Sequence, residues 1–441
     1  MKIGAATIDI TPPVGTALDG YGGRTDVSLG VHDPLFARAL YLDDGTTRVA
    51  LVVCDLIGIG SFLAERAREL IAERPGIPPT HVMVAATHTH AGPGGVRGRG
   101  EPVLAEEIAR KVAGAVRVAE RNATEGVLKY GFTELSSIAQ NRRRPDGPID
   151  RRLDVLAADT PEGANIATVA RYGCHATTLE RDNLEITAEF PGEACRTIEQ
   201  IIGGGSTGMF FNGACANVNP AWIRQDYGEV RRLGTVVGAK AAALSQELRP
   251  LGLNHQAHNI RWEELTDRPV DAGLLVSGTM KAMSLTFEAP YRSGPADDEF
   301  AAELEVLEAN YAAKVALGVS SEERRALAAK VTMARGERFA LMRTRGKGAT
   351  RTEEVQAFRL GQDLHLVALP GEVFYETGED IRRRSGLENL LVVGYANDYP
   401  GYFCRAEAYA EGGYEPGTTP FAAEADELLV KTAVHALDHV A

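Results

Sequence analysis

RVALVVCDLIGIGSFLAERARELIAERPGIPPTHVMVAATHTHAGPGG, residues 48–95, is the stretch from which the fold class is read. Arg48 to Cys54 is an apolar, β-branched run of strand length, Phe62 to Glu73 has apolar residues at helical spacing, and His81 to Ala86 returns to strand. Strand, helix and strand in succession argue for the α/β class. Upstream, MKIGAATIDITPP reads as a short alternating strand and a turn. Downstream, the pattern predicts a helix from Leu104 to Asn122 and strands at Gly126 to Phe132, Asp154 to Ala158 and Ile166 to Tyr172, the first two strands being separated by the turn-rich NRRRPDGPIDRR. Met209 to Phe211 leads into the polar loop NGACANVNP. From Ala296 to Arg345 the composition turns to Ala, Glu, Leu and Arg with a break near Gly318 to Ser321, which reads as an inserted helical hairpin. Strands at Leu364 to Leu369 and Leu390 to Val393 follow, and a helix from Ala422 to His439 closes the chain. No internal repeat and no low-complexity linker is visible. Residues 1–441 therefore read as a single domain with a helical insertion at about 296–345.

The 441 residues are 44% hydrophobic and 24% charged, the composition of a globular chain able to bury a large core. Lys and Arg number 47 against 60 Asp and Glu, a net charge of −13 that disfavours nucleic acid and anionic membrane surfaces as partners. No apolar run is long enough for a leader or a transmembrane helix. Cys54, Cys174, Cys195, Cys215 and Cys404 are odd in number and lack CxxC spacing, so neither a disulfide framework nor a zinc ribbon is expected. The expectation is a soluble, reduced, cytoplasmic protein with no stable membrane association, and homo-oligomerisation is left open.

Chemistry concentrates at strand ends. In THTHAGPGG, His88 and His90 stand two apart at the end of a strand, a spacing that on extended chain projects both to one face of a Gly-rich loop. His175 ends the strand IATVARYGCHATTLE in the same manner, and in LVALPGEVF a Pro-Gly turn puts Glu372 at the expected start of a helix. Two imidazoles and a carboxylate from separate strand ends would leave zinc an open position for water or substrate. The pair His435 and His439 lies four apart on a helix but has Ala436 where a metalloprotease helix has Glu, so it reads as a solvated face; His255 and His258 receive the same reading. The tyrosine- and glycine-rich segments at 394–416 and 19–24 are expected to line a cleft, with Arg24, Arg405 and Glu407 among the charged groups of its rim. Arg142, after a short strand, is a candidate bidentate donor.

In this order, TIDITPP, GYGGR, GVHDPLFARAL, THTHAGPGG, NRR, GCHATTL, ITAEFPGEA, LPGE, NDYPGY and GGYEP resemble the catalytic domain of the neutral/alkaline non-lysosomal ceramidase family. The resemblance spans essentially the whole chain. It implies mixed β-sheets packed together and flanked by helices, and a Zn2+ ion held by His88, His175, Glu372 and Tyr402. By the same resemblance His90 is a substrate-binding and proton-transfer position, Arg142 the family's arginine, and Tyr414 its distal tyrosine, twelve residues beyond Tyr402. One departure is clear: where the family has a serine before the proline of the NP-ended loop, this chain has Asn219, which can hydrogen-bond a carbonyl but cannot act as a nucleophile.

The resulting expectation is a zinc-dependent amidohydrolase. Metal-activated water attacks the carbonyl, His90 relays the proton to the leaving amine, and Arg142, Tyr414 and Asn219 hold the carbonyl and the developing oxyanion. Glu189 is a supporting or alternative basic group. With no leader, no additional C-terminal domain and a polar rim, a small soluble N-acyl amide is expected rather than a membrane lipid. The alternatives are an esterase or lactonase, a true ceramidase, and a non-enzymatic binding protein that keeps the fold.

Overall fold

The computed structural model describes residues 1–22, 24–97, 100–248, 273–294 and 297–441. His255 and His258 lie outside the described residues, as does Ala296. Three mixed sheets carry the fold, and each repeats one connectivity. In the first, Lys2–Asp9, Phe36–Asp43 and Arg48–Cys54 pair antiparallel in turn; the helix Ser61–Glu73 then crosses to a parallel fourth strand, Val82–Ala86, and Pro102–Arg121 closes the unit. The second has strands Val127–Glu134, Arg152–Asp159, Asn165–Tyr172 and Thr207–Asn212, crossover helix Glu189–Ile202 and closing helix Tyr227–Glu247. The third has strands Lys281–Pro290, Thr350–Gly361, Leu364–Ala368 and Leu390–Val393, crossover helix Tyr375–Ser385 and closing helix Glu424–Val440. A parallel pair cannot be joined by a hairpin, so a helical crossover recurs in each unit at the same place.

The fold is thus α/β, as read from the sequence. The absence of a visible repeat is corrected at the level of topology: three units share one strand order although their sequences show no period. The connections between first and second strands explain why, because they run over residues 10–35, 135–151 and 291–349 and destroy any constant spacing. The longest holds the helices Asp297–Ala316 and Ser321–Thr344, which pack on each other at the position expected for the helical hairpin. The hydroxyl of Ser320 accepts from the Glu323 amide and caps the second of them.

Crossover and closing helices pack together on one face of each sheet. On the other face one apolar cluster draws Val49, Leu51 and Val53 from the first sheet, Leu156, Val169 and Phe211 from the second, and Leu366, Leu391 and Val393 from the third. Strands covered on both faces need apolar residues without alternation, which is why Arg48–Cys54 and Val82–Ala86 read as continuous runs. The ends of the parallel strands, where open sheets place ligands, are where the candidate residues gather.

All five cysteines are buried and free. His435 and His439 are exposed on the closing helix, with the His439 Nδ1 2.8 Å from the carbonyl of His435, a contact internal to the helix. Among the described residues no helix is long and apolar enough to cross a membrane.

Candidate metal centre

His88, His175 and Glu372 come one from each unit, and all three are nearly inaccessible, at 1%, 0% and 2% exposure. His88 lies just past the strand Val82–Ala86 with φ 68°, so the two histidines of THTH do not sit on extended chain as the spacing suggested. They still converge, because the left-handed turn at His88 swings its ring until the Nε2 atoms of His88 and His90 are 3.2 Å apart. The four non-glycine residues with left-handed φ among the described residues are His88, Glu189, Tyr395 and Asn397. Each touches this corner: Tyr395 stacks on the His88 ring at 4.1 Å, Glu189 accepts from the His90 amide at 3.3 Å, and Asn397 accepts from the Val84 amide at 3.0 Å. Backbone strain of this kind persists only where surroundings over-determine it.

Glu372 is not at a helix start. It forms a two-residue parallel ladder with Tyr402 and Phe403, and the helix begins at Tyr375. The cause is Gly371, at φ 62°, where a Cβ would lie 2.3 Å from the carbonyl oxygen of Gly401. Only glycine permits that approach, and the approach sets the Tyr402 backbone beside that of Glu372.

The protonation pattern follows from the partners. His88 Nδ1 is 2.7 Å from the Ile57 carbonyl and His175 Nδ1 is 2.8 Å from that of Cys215, and a carbonyl only accepts, so both protons sit on Nδ1. Burial lowers the pKa of both rings, His88 to about 3, which keeps them neutral and leaves each Nε2 a bare lone pair. Those lone pairs face a carboxylate oxygen: Glu372 Oε2 is 3.0 Å from His175 Nε2 and 3.6 Å from His88 Nε2. Despite the short contact, His175 Nε2 and Glu372 Oε2 are both buried with no hydrogen-bond partner. Two buried imidazoles and a buried carboxylate converge here, with His175 Nε2 and Glu372 Oε2 unpartnered, and this donor set fits a divalent cation. The Nδ1–carbonyl contacts are the outer support that orients metal-binding imidazoles.

His90 is different. One ring nitrogen from each of His88, His90 and His175 lies within 4.8 Å of the others, so His90 belongs to the cluster by distance. The bare His88 Nε2 must, however, accept from His90 Nε2–H, which leaves His90 Nδ1 buried and unpartnered. Behind it the Glu189 carboxylate accepts from the amides of His90, Thr178 and Leu179 and ties the two histidine loops together; burial, opposed by these bonds, pushes its pKa up to about 8. On the other side Gly20 is needed for contact, because a Cβ there would sit 2.7 Å from the His90 ring.

Arg142 connects the centre to a cleft. Its Nε donates to Glu415 Oε1 at 2.7 Å, its Nη2 to the Tyr402 hydroxyl at 3.3 Å and its Nη1 to Asn219 Oδ1 at 3.5 Å. Burial would lower its pKa, but Tyr402 and Glu415 outweigh that and hold it above the ordinary arginine value. Arg142, Asn219 and Tyr414, with Arg143, Arg144 and Glu415, line a cleft of about 710 Å³. Tyr414 is 53% exposed and its ring meets Tyr402 edge-on at 5.9 Å. Arg405, expected at the rim, lines a neighbouring cleft with Arg143, Arg144 and Glu407 and is paired with Asp380 and Asp426.

Tyr399 was not singled out from the sequence. Its hydroxyl donates to Glu372 Oε1, making it the phenol bonded to the carboxylate, while that of Tyr402 accepts from Arg142. The signal was present, since NDYPGY carries both tyrosines three residues apart, but spacing does not say which turns toward Glu372.

The model of the neutral/alkaline non-lysosomal ceramidase family, N-terminal part, matches residues 1–230. The chain belongs to this family. A neutral ceramidase of Pseudomonas aeruginosa is 25% identical over 95% of this chain and 69% of its own length, and one of Mycobacterium tuberculosis is 24% identical over 96% and 74%. The crystal structure of the Pseudomonas neutral ceramidase matches the fold with a TM-score of 0.72 at 22% identity, covering all of this chain and 75% of that one. A ceramidase complexed with C2 gives 0.73 at 20% identity with the same coverage. At this identity the structural likeness shows the ceramidase fold.

Proposed function

We propose that the chain is a metal-dependent hydrolase of amide bonds, with Zn2+ held by His88, His175 and Glu372 and with Tyr402 as the fourth group. One observation carries the reading: Nε2 of His175 and Oε2 of Glu372 meet at 3.0 Å in a buried site, and neither has a hydrogen-bond partner. When bound there, zinc supplies Lewis acidity, polarising a carbonyl and lowering the pKa of water toward neutrality. The other roles belong to the chain. His90, neutral because burial lowers its pKa, has an unpartnered Nδ1 and can move a proton between water and the leaving nitrogen. Arg142, held charged, can fix the carbonyl side of the substrate with Asn219, and Tyr414 walls the cleft. Asn219 offers no nucleophile, so water is the attacking group. Glu189 acts as a clamp on the two histidine loops rather than as a base. Residues 1–441 form one catalytic unit, with the helical insertion placed between the first two strands of its third sheet.

The arginines of the cleft support a small polar N-acyl substrate. Ceramide is the second reading, favoured by relatives named neutral ceramidases that align over nearly the whole chain. The test is metal analysis and anomalous scattering on the purified protein, followed by turnover of short N-acyl amides, matched esters and long-chain ceramides. One zinc per chain and faster cleavage of the short amides are expected. Absence of metal at His88, His175 and Glu372 would sink the metal reading, and higher kcat/KM on ceramides would replace the first substrate by the second.

A further inference from the structure

The arginines around the centre fall into two groups. Arg142, Arg143 and Arg144 are matched to carboxylates, Glu415, Glu411 and Glu376. Arg24 and Arg343 have no carboxylate partner among the described residues. Arg24 donates to the carbonyls of His90, Asp19 and Arg181 at 2.8 to 3.1 Å, and its Nη2 is buried without a partner. Arg343, in the last turn of the inserted helix Ser321–Thr344, reaches the carbonyl of Pro400 at 3.4 Å and its own helix's Phe339 ring. Pro400 follows Tyr399, the partner of Glu372, so Arg343 is two short links from the centre. Between the two, Arg97 lies 5.3 Å from the Tyr399 ring centroid and pairs with Asp19 at 2.8 Å. Among the described residues, Asp19 is the one carboxylate held in a salt bridge by these three guanidiniums. Asp398 and Glu353 are both engaged by Arg351.

Keeping these guanidiniums positive has a cost. Partial burial pulls the pKa of Arg24 below the ordinary arginine value, and Arg343, exposed on its helix, is lowered by partial desolvation and by repulsion from Arg97 and Arg351. Glu189 and Asp182 act on Arg24, and Glu372 on Arg97, at longer range. A guanidinium meets a carboxylate through parallel N–H···O bonds in one plane, a match that a hydroxyl or an amide cannot reproduce.

We infer that Arg24, Arg97 and Arg343 form a carboxylate subsite, and that the substrate is an amide carrying a carboxylate close to the scissile bond. The inference rests on the amide-hydrolase reading above but can be tested without turnover. Binding to metal-free protein, prepared with chelator and dialysed, is measured by calorimetry for two pairs of probes. N-Acetylglycine against N-acetylglycinamide puts the charge on the amine side, and succinamate against succinamide puts it on the acyl side. In at least one pair the anion is expected to bind about 10- to 100-fold tighter than its neutral partner, the scale of a charge-assisted contact. The preference should shrink at high salt and fall about tenfold in Arg343→Gln, with partial recovery in Arg343→Lys. No preference in either pair, including no binding of any probe, overturns the subsite, as does a preference unchanged in Arg343→Gln. Should the variants fail to fold, the wild-type comparison still decides. Failure of zinc-loaded protein to cleave any amide would remove the hydrolase reading and leave the anion preference standing, so the two failures are distinct.

Discussion

His88, His175 and Glu372 each follow a strand of a parallel pair in a different sheet, whereas Arg24, Arg142 and Arg343 each sit in the connection between the first and second strands of those same units. The first set is buried, oriented by backbone carbonyls or by Tyr399, and separated by fixed strand geometry. The second is carried on connections of very different length, the longest being the one with the helical hairpin. The centre is therefore set by topology and the rim by what each connection contains. Chemistry and selectivity should separate under mutation.

The sharpest way to break this comparison is at the centre. His175→Ala should release the metal and bring amide hydrolysis to background, read by metal content and turnover together; full metal occupancy in the variant would show that the centre lies elsewhere. Next, Tyr399→Phe removes the donor to Glu372, and metal affinity in a chelator competition should fall about 10- to 100-fold, the usual cost of an outer-shell hydrogen bond. An effect confined to Tyr402→Phe would reverse the order of the two phenols. At the rim, Asn219→Ala should lower kcat by roughly 10- to 1,000-fold, the range around loss of one oxyanion donor. Its zinc content should stay at the wild-type level. A trapped acyl-enzyme, by mass spectrometry, would instead place a nucleophile in the protein.

The smallest effect concerns stability alone. Burial raises Asp426, behind Glu372 in the third unit, to about 6, although Thr377 and Arg405 oppose it. The folded state then holds the extra proton between the ordinary aspartate value near 4 and pH 6, so stability falls as pH rises through that window. The slope is at most about 1.4 kcal/mol per pH unit. Denaturant midpoints of wild type and Asp426→Asn at pH 4 to 6 check this, and parallel curves would refute it.

The same division explains what could be read from the sequence. His88, His175 and Glu372 were legible because a strand running into glycine or Pro-Gly is a local pattern, and local pattern determines where a strand ends. The strands Lys281–Pro290 and Thr350–Gly361 and the helices Glu189–Ile202 and Tyr227–Glu247 lie outside what the sequence reading reached. Arg142 and Tyr414 were reached through family resemblance. Arg97 and Arg343 were not reached at all: they meet Tyr399 and Pro400 from more than fifty residues away, and nothing in their neighbours' identity marks that meeting.

Because the three central groups stand at positions 88, 175 and 372, no part of the growing chain can present the full set until its third sheet has closed. Contacts of such sequence separation form late, after most of the loop-closure entropy has been spent. A cation that binds only the completed arrangement adds its binding free energy to the finished fold and none to partly folded chains. Metal uptake during refolding should thus trail the recovery of secondary structure, and the ion would act as a seal on a chain already assembled rather than as a seed for it.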